Sequence, residues 1–192
     1  MKKILFISPQ QFGYLSDHYY LSQYAKENYE TTFICFDKGF EKINAQGINL
    51  IYLNFSVGKL KRSLDFVKKV FSLCEEKKFD VVFCVDSKLS MLLGIFIKVP
   101  LKILDIRTGS VSNNLLKNYV LNFLTKTTSL FFDKTSIISE SLRERLGISK
   151  LKSFILPLGA ESLDDSIKEY NKLHLIYVGS LNGRSIEKTI DG

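Results

Sequence analysis

Residues 2–8 read Lys-Lys-Ile-Leu-Phe-Ile-Ser, a short apolar run with its charge at one end. Pro9-Gln10-Gln11-Phe12-Gly13 ends the run, and a helical pattern begins near Asp17. A strand this short and this uniformly apolar suits a parallel sheet covered on both faces. Strand, glycine-containing loop and helix form the opening of a βαβ unit. Ligands of open α/β sheets bind beyond the carboxyl ends of the strands. The stretch 8–16 is therefore the first place to expect a site.

The same alternation continues along the chain. Residues 17–28 place Tyr20, Leu21, Tyr24 and Ala25 on one helical face. Residues 32–36 and 48–55 read as strands, separated by a short helix or loop at 40–46 that Gly47 closes. Residues 59–78 are the most regular helix, with Leu60, Leu64, Val67, Phe71 and Cys74 at three- and four-residue steps. Lys59, Lys61, Arg62, Lys68 and Lys69 occupy its other faces. Residues 79–85 are a strand, and Asp86-Ser87-Lys88 follows with residue types that cap a helix. The apolar helix 90–98 is expected to be buried on most sides, and Pro100 stops it.

Strand 101–106 exits at Arg107-Thr108-Gly109-Ser110. Helix 113–132 carries Leu116, Tyr119, Val120, Phe123, Leu124 and Thr127 on one stripe. A very short strand at 136–138 precedes a helix that Ser139 caps and Gly147 closes. Strand 154–156 ends at Pro157. The expectation is an α/β fold, a doubly wound, Rossmann-like parallel sheet of about seven strands. Residues 1–160 form this domain, and the polar, aperiodic segment 161–172 reads as a linker. Leu173-His174-Leu175-Ile176-Tyr177-Val178, then Gly179-Ser180-Leu181-Asn182-Gly183-Arg184, restart the same device. Residues 173–192 thus read as the first strand-turn-helix of a second, incomplete domain.

A hydrophobic content of 45% supports a packed core and argues against disorder. The net charge of +7 favours anionic partners such as nucleotide phosphates or an acidic membrane surface. Cys35, Cys74 and Cys84 are odd in number and lack metal-ligand spacing. They read as reduced core thiols, which implies a reducing compartment. Four apolar residues before Ser8 are too few for a signal peptide, and the apolar stretch 91–99 is too short to span a membrane. A cytoplasmic location is expected, peripheral at most to the inner face of the membrane.

Several chemistries lack their residues. His18 and His174 are far apart in sequence; His18, near the strand exits, is placed to touch a ligand but reads rather as a surface histidine, and His174 as structural. The first strand is not followed by G-x-G-x-x-G, and neither a Walker sequence nor a G-x-S-x-G elbow occurs. Basic residues lie on helix faces without interleaved aromatics, so nucleic acid is not an expected partner.

Three segments acquire meaning together. They are Ser139-Glu140-Ser141-Leu142-Arg143-Glu144 after a short strand, Phe154-Ile155-Leu156-Pro157-Leu158-Gly159-Ala160, and Val178-Gly179-Ser180-Leu181-Asn182-Gly183-Arg184 with its following helix start. In this order they resemble the GT-B glycosyltransferases, in particular the large retaining group 1 family. There a Ser-Glu helix start is followed by a strand ending in Pro-Asn-Gly-Val-Asp, and the second domain opens with Val-Gly-Arg-Leu…Lys-Gly. The pattern covers the whole chain, and the specific motifs lie in 139–189. Leu158 stands where that family has Asn, Ser180 where it has Arg, and Arg184 near its Lys.

The resemblance implies transfer of a sugar from a nucleotide diphosphate sugar to a glycan or lipid-linked acceptor, as in polysaccharide biosynthesis. It implies retention of configuration, with neither cofactor nor metal. Gly179, Ser180 and Arg184 would hold the donor diphosphate. Phe12 and Gly13 of the first loop, with Arg107 and Thr108, would border the acceptor cleft. Arg107 either replaces a family histidine near the donor sugar or pairs with Asp105 and shapes the loop. The catalytic acidic pair of that family would lie in the second domain, beyond residue 192, so this chain alone is expected to be inactive. Helix 59–78 resembles the amphipathic surface that such enzymes press on anionic membranes, and equally a plain solvated helix. The alternatives are a sugar-nucleotide epimerase of GT-B architecture and a flavodoxin-like module without catalysis. An epimerase should show more His, Glu and Arg at its strand exits than the Arg107 visible here.

Overall fold

The chain alternates strand and helix: β1 (Lys2–Ile7), α1 (Ser16–Ala25), β2 (Tyr29–Asp37), β3 (Ile48–Asn54), α2 (Lys59–Lys77), β4 (Val81–Val85), α3 (Ser90–Phe96), β5 (Leu101–Ile106), α4 (Leu115–Ser129), β6 (Lys134–Ile137), α5 (Glu140–Leu146) and β7 (Ser153–Ile155). These elements come from a computed structural model that describes residues 1–55, 58–111 and 114–158. The linker 161–172 and the restart at 173–192 lie outside the described residues. The strands form one sheet in the order β3-β2-β1-β4-β5-β6-β7. Every neighbouring pair is parallel. The expected α/β, Rossmann-like, doubly wound sheet is what forms.

The order places a switch point between β1 and β4. From β1 the chain crosses outward one way to β2 and β3. From β4 it crosses the other way. Right-handed crossovers then require connections on opposite faces. On one face α1 packs with Ile4, Phe6, Phe33 and Phe83, through Tyr19, Leu21 and Ala25. On the other, α2, α3 and α5 bring Phe66, Val70, Leu93 and Leu142 against Leu5, Ile7, Val82 and Leu104. The central strands are apolar on both sides because both sides are covered.

Local signals hold where backbone geometry sets them. The Ser139 hydroxyl accepts from the Leu142 amide at 3.2 Å, and Gly147 ends α5 with φ of 62°. Residues 40–46 form a loop rather than a helix. Its Ile43 and Ala45 pack on the α1 face of the sheet.

The helix faces follow the sheet rather than the stripes expected from spacing. In α2 the buried side chains are Phe66, Val70, Leu73 and Cys74, while Leu60, Leu64 and Phe71 are exposed. The helix is rolled by about one residue step, roughly 100°. Its apolar surface is wide enough for two stripes, and packing on Phe36 selects one. In α1 the buried residues are His18 and Ser22, whereas Tyr20 and Tyr24 face outward. Helix α3 is not buried on most sides, since Leu92, Ile95 and Phe96 are exposed.

The three cysteines are free and buried. Burial pushes the Cys35 thiol up to about 11 and those of Cys74 and Cys84 to about 12. They are protonated at neutral pH and behave as core hydrophobes. The packing predicts that Phe66→Ala costs about 3–5 kcal/mol. Leu60→Ala, on the stripe that spacing favoured, should stay within about 0.5 kcal/mol of the parent. Urea unfolding of the two variants checks this.

Candidate functional site

Strand β5 ends at the switch-point side of the sheet, and its penultimate residue, Asp105, is fully buried. The Asp105 side chain faces α1. His18, in the first turn of α1 and equally buried, brings Nε2 to 2.9 Å from Asp105 Oδ2. Arg107 donates from Nε to the same oxygen at 2.6 Å. The Arg107 guanidinium also donates from Nη1 to the Leu156 carbonyl at 3.3 Å. Asp17 comes within 4.0 Å of Arg107 Nε. One carboxylate therefore ties the first turn of α1, the β5 exit and the β7 exit together.

The imidazole sits on an aromatic floor, with ring centroids 5.4 Å from Phe83 and 6.2 Å from Phe6. Burial alone would push the Asp105 carboxyl up. The hydrogen bond and charge of His18, and then those of Arg107, more than offset this and hold it below the usual carboxylate range. Asp105 is thus an anion that only accepts, so His18 Nε2 carries the hydrogen between them. His18 Nδ1, Asp105 Oδ1 and Arg107 Nη2 are buried without a partner among the described residues. Unpaired polar atoms in so dry a place are costly.

A second feature lies on the other side of the same strand exits. A cleft of about 450 Å³ opens between the β4 exit, the β5 exit and α4. Asp86, Lys88, Thr108 and Ser110 provide its polar lining, while Met91 and Leu124 contribute apolar wall. The Thr125 hydroxyl donates to Asp86 Oδ2 at 2.9 Å. Burial pushes the Asp86 carboxyl up, and the bonds from Thr125 and the Ser87 amide only partly oppose it. Asp86 does not cap α3. The N-cap position of α3 is Leu89, with no side-chain cap bond, and Asp86 stands in the lining of the cleft.

The expected cleft residues separate into groups. Thr108 is exposed and lines the cleft. Arg107 is largely buried and pairs with Asp105, the local ion pair foreseen as one of its two roles. Gly13 has φ of +88°, a backbone conformation that favours glycine, and a Cβ there would meet the end of the Ile43 side chain. Phe12 is not a cleft residue. It is fully buried, 5.0 Å from the Phe33 ring, because the loop folds inward around it. Buried Gln11 anchors that loop: its Nε2 donates to the Phe40 carbonyl and its Oε1 accepts from the Lys38 amide. The donor residues Gly179, Ser180 and Arg184 lie outside the described residues.

Asp86 was missed by sequence reasoning, and His18, read as a surface histidine near the strand exits, is fully buried. His18 is on a helix of mixed composition, and only the tertiary pairing with Asp105 reveals its role. Asp86 stands in a good capping context, which hid it. With His18, Asp105, Asp17, Arg107 and Asp86 at the exits, the edge is richer in titratable groups than Arg107 alone. Among the described residues, no group of three or more His, Cys, Asp or Glu is arranged to hold a metal ion.

No family model matches the chain, and no curated protein matches it. Solved structures do. The crystal structure of Anabaena HepE in complex with UDP and glucose superposes with a TM-score of 0.54 at 14% identity, over 84% of this chain and 45% of that one. The UDP-GlcNAc 2-epimerase from Methanocaldococcus jannaschii gives a TM-score of 0.52 at 18% identity, over 81% of this chain and 45% of that one. The chain therefore spans less than half the length of either. At these identities the likeness is one of fold: a Rossmann-like α/β domain of the GT-B type.

The Asp105 pair predicts a pH dependence. Its folded pKa is depressed, so its contribution is present above the unfolded value of about 4 and is lost as pH falls through the folded value. Asp105→Asn should cost about 3–5 kcal/mol at pH 7, because it leaves buried Arg107 and His18 without their anion. The gap between variant and parent should close as the pH is lowered below about 4, read by urea unfolding at a series of pH values.

Proposed function

We propose that the chain belongs to a glycosyltransferase and supplies its acceptor-side domain. The reaction moves a sugar from a nucleotide diphosphate sugar to a glycan or lipid-linked acceptor, with retention and without a metal. The observation that carries this reading is the cleft at the β4 and β5 exits. It lies at the carboxyl edge of a fold whose solved neighbours are named for UDP, glucose and UDP-GlcNAc. That edge is where open α/β sheets take ligands. The cleft combines apolar wall with hydroxyls and one carboxylate, a lining suited to a sugar or its carrier.

In this reading Asp86, Thr108 and Ser110 receive acceptor hydroxyls. Arg107 and Gly13 flank the point where donor and acceptor meet. Gly179, Ser180 and Arg184 hold the donor diphosphate, which needs a cation and free backbone amides. The catalytic acidic pair belongs to a second domain, and the buried thiols suit the cytoplasm.

A second reading has its own support. The His18–Asp105–Arg107 cluster adds His and Asp to Arg107 at the strand exits, where the epimerase alternative calls for more titratable groups than Arg107 alone. The two readings differ in product. Transfer releases the nucleoside diphosphate and glycosylates an acceptor. Epimerisation returns a nucleotide sugar and needs no acceptor, and when it proceeds through proton removal from a sugar carbon, deuterium from solvent enters that carbon.

Calorimetry with UDP, and nuclear magnetic resonance of UDP-sugars with and without acceptor, test both. Arg184→Ala should weaken nucleotide-sugar binding by about 1.5–3 kcal/mol, the scale of hydrogen bonds to a charged group. Asp86→Asn should lower transfer while leaving nucleotide affinity in place. Deuterium incorporation without acceptor would decide for the epimerase, and unchanged affinity in Arg184→Ala would remove the diphosphate role.

A further inference from the structure

The exits of β2 and β3 carry another concavity, of about 600 Å³, on the opposite side of β1 from the Asp86 cleft. Asp37, Lys38, Lys42 and Tyr52 line it, with Phe55 just beyond β3. Parallel pairing builds it, since Asp37 at the end of β2 stands opposite Asn54 at the end of β3. The Arg62 guanidinium of α2 stacks 3.7 Å from the centre of the Phe55 ring, and Lys38 Nζ lies 5.6 Å from the same centre. Lys42 Nζ stands 5.0 Å from the centre of the Tyr52 ring. Three cations thus converge on two aromatic rings.

The charges there do not balance. Asp37 accepts from the Gly39 amide at 3.0 Å and pairs with Lys42 Nζ at 3.1 Å. These bonds hold its carboxyl below the usual range. Asp37 and Lys42 therefore cancel, which leaves Lys38 and Arg62. Lys38 donates to the uncharged Gln10 Oε1, and Arg62 Nη1 donates to the Phe55 carbonyl at 3.0 Å. The first turn of α2 contains no acid. Glu41 and Asp65, the next acids in sequence, are exposed, and among the described residues neither forms an ion pair. Partial burial, and then the charge of Arg62, push the Lys38 ammonium down from its ordinary value. Two cations held together in this way favour an anion between them.

We propose that this pocket binds the acidic group of an acceptor glycan, a carboxylate or phosphate borne on a sugar ring. Lys38 and Arg62 take the anion, while Tyr52 and Phe55 give flat apolar surface to the carbon face of the ring. The Lys38 backbone is fixed for this by its bond to Gln11 Oε1 at 2.9 Å. Neighbouring strands lie about 4.8 Å apart, so the pocket on β2 and β3 is about 14 Å from the cleft on β4 and β5. A short oligosaccharide bridges that distance across the β1 loop. Binding of the acidic sugar stands on the pocket alone; its place in an acceptor rests on the glycosyltransferase reading.

Calorimetry of the full chain with glucuronate, glucose 6-phosphate, glucose and inorganic phosphate tests it. Both acidic sugars should bind, and glucose and inorganic phosphate should each bind at least about tenfold more weakly. Lys38→Gln with Arg62→Gln should lower the affinity for glucuronate about tenfold or more. The unfolding midpoint should stay near that of the parent, since neither side chain is fully buried. If the midpoint falls, Lys38→Gln alone decides by the same criterion. Lys68→Gln with Lys69→Gln, further along α2, should leave the affinity as it is. Glucose binding as tightly as glucuronate, inorganic phosphate binding as tightly as the acidic sugars, no binding of any probe, or unchanged affinity in the Lys38 variants would overturn the proposal. Acidic and neutral acceptors are then compared in the transfer assay. Transfer without preference for the acidic acceptor refutes this proposal alone. Deuterium incorporation without acceptor, in a chain that binds glucuronate, refutes the function above and leaves the pocket standing.

Discussion

The Asp105 carboxylate holds three segments that would otherwise be independent loops. It meets His18 from α1 and Arg107 from the β5 exit, and Arg107 reaches on to the Leu156 carbonyl beyond β7. The sheet brings the strand ends to one edge, but it does not set how the loops above them lie. A buried anion does, because it must keep its donors. Its two partners outweigh the cost of burial, as the depressed pKa of Asp105 records. The edge on which the candidate site is built is therefore rigid at its centre, with Gln11 fixing the adjoining loop.

On either side of this pair the edge differs in kind. Toward α1 it is closed and polar, floored by Phe6 and Phe83. Toward α4 it is open, and Asp86 stands in a cleft with apolar walls. The depressed carboxyl of Asp105 and the raised one of Asp86 sit at the ends of adjacent strands. Two carboxylates pushed apart by their surroundings are able to play different parts. Asp105 positions its neighbours, whereas Asp86 is disposed toward whatever enters the cleft.

Helix α4 has the composition of a core helix and the placement of a surface one. Its apolar stripe contributes little to the described core, since only Thr128 and Ser129 are buried. What holds it is a set of side-chain hydrogen bonds to Ser110 and Asp86. A helix held from its polar side leaves its apolar side for another body. The same bonds couple the helix to the cleft.

The seven-stranded parallel sheet was legible in the sequence because strand runs and glycine-bearing exits are local signals. Short runs such as Phe33–Cys35 and Val82–Cys84 are apolar on both sides, which already requires cover on both faces. Ser139 and Gly147 announced α5 for the same local reason. The side of each helix that meets the sheet was not legible. The α2 stripe of Leu60, Leu64 and Phe71 is as periodic as the buried one of Phe66, Val70 and Leu73, and only docking on the sheet chooses between them. The α4 stripe has helical spacing and stays outside, because periodicity records amphipathicity and not what covers it. The pairing of His18 with Asp105 spans 87 positions of the chain. A contact between residues so distant leaves no trace in spacing, so the closed polar half of the edge was decided by tertiary structure alone.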